Sequence, residues 1–133
     1  MSAEVEIARQ WVAKARNDLL DADNNLASAN IPTDMVCFHC QQAAEKLLKA
    51  ALAAQGVPPP RTHVLTLLAD QLSTLFPTIE QLGDDLAILT PYSVAARYPD
   101  DDFIMPTIED AREARLCADK VFVWLRQECP DLV

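Results

Sequence analysis

The sequence predicts an all-α fold, an up-and-down bundle of four main helices and one short one, and three observations carry that reading. Apolar residues recur at spacings of three and four along most of the chain, and no stretch alternates with period two for long enough to make a strand. Half of the residues are hydrophobic but only 6% are aromatic, the surplus being Ala and Leu, which favour helices. The breaks between periodic stretches carry proline or turn residues, as short connections in a bundle do.

The first helix is expected from Ala3 to Ala29, with Ile7, Trp11, Ala15, Leu19, Ala22 and Leu26 as its apolar stripe, ending near Asn30 because Ile31-Pro32 cannot continue it. Thr33 or Asp34 caps the second, which stops at Gly56 ahead of Pro58-Pro59-Pro60. Arg61-Thr62-His63 opens the short helix, with Leu65, Leu68, Leu72 and Leu75 inward. Thr78-Ile79-Glu80-Gln81 has the form of a capping box and begins a helix with Leu82, Leu86 and Leu89 as its stripe, kinked or restarted at Pro91. Tyr98 to Phe103 is a loop. Thr107 to Asp110 is a second cap, and Ile108, Ala111, Ala114, Ala118, Val121 and Leu125 carry the last helix to about Gln127.

At 133 residues the chain is expected to be one domain, 1–133, long enough for a real core. A formal charge of −9 opposes phosphate backbones, so nonspecific nucleic-acid binding is not expected and any RNA contact must be local. No run approaches the roughly 18 apolar residues of a membrane span, and the acidic N-terminus is unlike an export signal. The expectation is a cytoplasmic protein whose four cysteines stay reduced.

Chemistry concentrates in two clusters. In the first, Cys37-Phe38-His39-Cys40-Gln41-Gln42-Ala43-Ala44-Glu45-Lys46, the C-x-x-C lacks the second cysteine pair of a zinc site, because Cys117 and Cys129 are twelve apart. It also lacks the preceding strand of a redox site, so both cysteines read as packing residues. His39, Gln42, Glu45, Lys46 and Lys49 share one side of the helix. That side is either a solvated face with a Glu45-Lys49 pair or a groove in which His39, Gln42 and Lys46 are directional donors.

The second cluster, Tyr92-Ser93-Val94-Ala95-Ala96-Arg97-Tyr98, gathers a guanidinium and two phenols, which suit a phosphate beside a stacked base. The alternative is that the tyrosines pack the bundle end and Arg97 pairs with an aspartate. Asp100, Asp101 and Asp102 read as a solvated acidic loop, not a metal site. With two glycines in the chain there is no phosphate-cradling loop, and neither a metal nor a cofactor is expected.

Phe38 to Ala50, then Thr62-His63-x-Leu65, then Arg97-Tyr98-Pro99-Asp100, in that order in an all-helical chain, resemble a HEPN domain (higher eukaryotes and prokaryotes nucleotide-binding) of the prokaryotic single-domain type. The resemblance runs from Trp11 to the last helix. It implies a helical bundle that usually forms a homodimer and is often encoded beside a minimal nucleotidyltransferase as a toxin-antitoxin-like pair. Many such proteins are metal-independent ribonucleases using Arg followed after four to six residues by His. Here the two histidines are His39 and His63, and the Arg positions hold Pro32-Thr33-Asp34 and Gly56-Val57-Pro58. The ribonuclease motif is absent. The resemblance therefore points to a non-nuclease module with His39, Gln42, Lys46, His63, Tyr92, Arg97 and Tyr98 as its ligand or partner surface. The alternatives are a ribonuclease with an atypical site, using Arg97 with Tyr98 or His63, and a purely structural dimeric interaction module.

Overall fold

The computed structural model describes residues 2–93 and 104–133. Its helices are α1 (Ala3–Leu26), α2 (Thr33–Ala54), α3 (Leu65–Leu72), α4 (Gly83–Leu89) and α5 (Ile108–Glu128), and no strand occurs among the described residues. The predicted all-α bundle, four main helices and a short one, is what forms.

The second helix becomes the axle. Both its Leu-rich and its Ala-rich sides are covered, so α2 touches α1, α3, α4 and α5, and Val36, Cys40, Ala43, Leu47 and Ala50 are fully buried. Its start corrects the expected cap. Pro32 takes the cap position with no side-chain bond; Asp34 accepts from the Met35 amide, and the Thr33 hydroxyl donates 2.7 Å to the Pro106 carbonyl and ties α2 to the entry of α5. Its end is a Schellman motif: Val57 N–H donates to Leu52, Gly56 N–H donates to Ala53, and Gly56 takes φ 75°.

The polar-rich end of α1 stops sooner than its periodicity suggests, at Leu26 rather than Ala29. Ser28 donates its hydroxyl to the Asn25 and Asn30 carbonyls and closes a turn that competes with helix. The buried stripe also has a different phase at its start. Ala8 and Val12 are buried, whereas Ile7 is exposed and Trp11 half-buried, because the small Ala8, Ala15 and Ala22 let α1 lie close along α2.

The short helix α3 begins at Leu65, after an extended Val64, so Arg61-Thr62-His63 precedes it. Leu65, Leu68 and Leu72 are buried and Leu75 is exposed beyond its end. The box expected at Thr78 does not form. Residues Pro77–Leu82 make a 3-10 turn, and the Thr78 hydroxyl instead donates to Glu128 and accepts from the Trp124 indole at 3.0 Å. Leu82, Leu86 and Leu89 are buried as expected, and at Pro91 the chain tightens into a 3-10 turn, Thr90–Tyr92. The Thr107 box does form, with Asp110 returning the bond to the Thr107 amide.

Arg115 and Asp23 join α5 to α1 through two bonds, 2.7 and 3.3 Å. Burial works to lower the Arg115 guanidinium, but the Asp23 carboxylate outweighs it and holds the group above its ordinary value. No helix among the described residues is long and apolar enough to cross a membrane.

Candidate functional site

Two polar clusters form on α2, one against α1 and one under the loop that precedes α3. A helix turns about 100° per residue, so His39 and Lys46 come to one side. There α1 presents Asp18, whose two oxygens accept from His39 Nδ1 at 2.9 Å and Lys46 Nζ at 2.5 Å. The His39 Nε2 meets Asp21 at 2.7 Å, so each ring nitrogen faces a carboxylate and both can donate only in the imidazolium. Phe38 meets the His39 ring edge-on, centroids 5.2 Å apart. The two predicted donors are thus brought together by Asp18, an acid of α1 that was not among the predicted site residues.

The second cluster is centred on Glu45, which is buried and not part of a solvated face. One carboxylate oxygen accepts from Lys49 at 3.1 Å, and the other faces His63 Nδ1 at 2.9 Å, with Gln41 more distant at 3.4 Å. Gln41 is itself buried: its amide donates 3.0 Å to the His63 carbonyl and its oxygen accepts from Gln42 at 2.8 Å. The Lys49 ammonium lies 5.6 Å over the Trp11 ring, on α1. Every buried side-chain nitrogen and oxygen among the described residues has a partner. A buried carboxylate held this way fixes the loop through His63 Nδ1 and leaves that ring 55% exposed.

Gln41, Glu45, Asp18 and Asp21 organise the site, and the sequence reading assigned them no such role. One signal was available for two of them. Gln41 and Glu45 sit four apart on α2, the spacing at which two side chains on a helix can meet.

Tyr92 does not join either cluster. Its hydroxyl engages the Cys37 thiol, and Cys37 points to the side of α2 away from His39. Arg97, Tyr98 and Asp100 to Asp102 lie outside the described residues. Burial pushes Cys37 and Cys40 up to about 12 and Tyr92 up to about 12, so the thiols stay protonated and unreactive at neutral pH and the phenol stays neutral. Both cysteines of the C-x-x-C are fully buried, as packing residues are. No group of three or more His, Cys, Asp or Glu side chains among the described residues could hold a metal ion.

What the arrangement offers is one half-exposed imidazole steadied by a buried acid, a part-exposed Gln42 amide, and a lysine and a second imidazole already held by carboxylates of α1. That set can accept and donate hydrogen bonds. No curated protein and no solved structure matches the chain. The family model for the HEPN domain matches residues 8–128, and it spans the α1 carboxylates, both α2 clusters and the helix that closes the bundle. With that match over nearly its whole length, in an all-helical bundle, the chain belongs to the HEPN domain family.

Proposed function

We propose that this HEPN protein is a cytoplasmic, homodimeric binding module without nuclease activity, which binds a nucleotide, pairs with a minimal nucleotidyltransferase, or does both in a toxin-antitoxin-like system. The contact surface is His39, Gln42, Lys46 and His63 on and beside α2, with Tyr92, Arg97 and Tyr98 as its second part. The observation that carries this reading is the Glu45 cluster. Its hydrogen bonds are closed on the inside and leave His63 half-exposed, an arrangement that presents donors in a fixed geometry. Neither histidine has an arginine at the spacing that the nucleases of this family use.

A melting experiment with ATP, GTP, CTP, UTP and AMP tests the nucleotide half, using wild type, Gln42→Ala and Arg97→Ala. A bound nucleotide stabilises the fold by about 2.7 kcal/mol at a hundredfold excess over Kd. One nucleotide is expected to raise Tm in wild type and to lose that shift in either variant. No shift from any nucleotide, together with no nucleotidyltransferase recovered with the protein from its host, overturns the proposal.

One observation favours the ribonuclease reading as the second choice. A carboxylate 2.9 Å from one imidazole nitrogen orients the ring as a general acid or base requires. RNA cleavage by the pure protein, lost in both His63→Ala and Arg97→Ala, would replace the binding reading with this one.

A further inference from the structure

The solvent face of α5 carries Ile108, Arg112, Leu116, Asp119 and Val123 in a single row, every one of them exposed. Leu116, at the centre, is 65% exposed, an unusual position for a large apolar side chain when its row-mates include two more. Ile108 and Val123 lie at equal distances on either side of the midpoint between residues 115 and 116, and so do Arg112 and Asp119.

We infer that this row is a docking surface for a second copy of the chain, with two α5 helices packed antiparallel about a two-fold axis beside Leu116. In such a pair residue i faces residue j and j faces i. Ile108 then meets the partner's Val123, Arg112 meets the partner's Asp119, and each of these contacts occurs twice. The two Leu116 side chains touch near the axis. Ile104 and Met105, 86% and 54% exposed just before α5, fall against the far end of the partner helix, where Arg126 and Gln127 lie.

Charge selects both direction and register. Parallel pairing sets Arg112 on the partner's Arg112 and Asp119 on the partner's Asp119, like on like. Sliding the antiparallel pair by one turn sets Arg112 against the partner's Arg115, and sliding it the other way sets Asp119 against the partner's Leu116. The register with its axis beside Leu116 pairs both charges and sets Ile108 on the partner's Val123, with the two Leu116 side chains adjacent across the axis. The row shares no side chain with the α2 surface. The inference deepens the homodimer part of the proposed function and rests on it, but not on nucleotide binding.

Sedimentation of the purified full chain over a range of concentrations tests it, with circular dichroism to show that the surface variants keep their helix content. Wild type is expected to be a dimer and Leu116→Asp a monomer. Arg112→Asp and Asp119→Arg are each expected to weaken the dimer about tenfold or more, and the double charge swap is expected to recover most of that loss. A dimer indifferent to Leu116→Asp, or a double swap no better than the single changes, overturns this face while leaving the homodimer standing. A wild type that stays monomeric at every concentration overturns both.

Discussion

The two polar clusters of α2 use similar chemistry under different conditions. Around Asp18 the acid comes from α1, the donors His39 and Lys46 come from α2, and a second acid, Asp21, is half in water. Around Glu45 the acid and one cation both come from α2, and the remaining bonds come from a neighbouring amide and the loop before α3. The first cluster ties two helices at their rim. The second is anchored on buried Glu45, Gln41 and Lys49, and fixes where the loop crosses through the half-exposed His63. A charge near water can be given up cheaply, whereas one sealed in the bundle leaves its partners with nothing to replace it.

Breaking the inner cluster should therefore cost most. Glu45→Ala leaves Lys49, Gln41 and His63 without their acceptor, and is expected to lower unfolding free energy by about 3–5 kcal/mol in urea titrations at neutral pH. Glu45→Leu combined with Lys49→Met should recover part of that loss, because two apolar groups of similar size need no partners. If the double change is as damaging as the sum of the single ones, the cluster is not acting as a closed network.

Asp18→Ala sharpens the comparison from the other side. It leaves Lys46 and His39, both part-exposed, without this acceptor, so about 1–3 kcal/mol is expected by the same titration. A loss equal to that of Glu45→Ala would show that the rim is as dry as the centre. Least of all should be Asp21→Asn, at about 0.2–1 kcal/mol, and this difference should shrink as salt is added because Asp21 is 48% exposed. A salt-independent loss would place Asp21 in the inner class.

How legible each part was follows from the range of the forces involved. Helix order, the buried Leu82, Leu86 and Leu89, the Gly56 stop and the Thr107 box depend on residues within a few positions of one another, and periodicity finds them. The Thr78 box failed for the opposite reason. Its hydroxyl met Glu128 and Trp124, far along the chain, and those bonds took the place of the local cap. In the same way Glu45 looked like half of a solvated pair until α1 and the loop before α3 closed over it.

By itself the sequence determined that this chain is a helical bundle, that its second helix carries the first block of the family resemblance, and that no Arg precedes either histidine at the nuclease spacing. These are statements about residue type and spacing, which need no knowledge of what packs where. Only the tertiary structure decided which polar residues are partners. Asp18 became the shared acceptor of His39 and Lys46, Glu45 the buried anchor of His63, and Tyr92 a neighbour of Cys37 on the other side of α2. The physical reason is that a charge's role depends on what removes its water, and here that is done by helices distant in sequence.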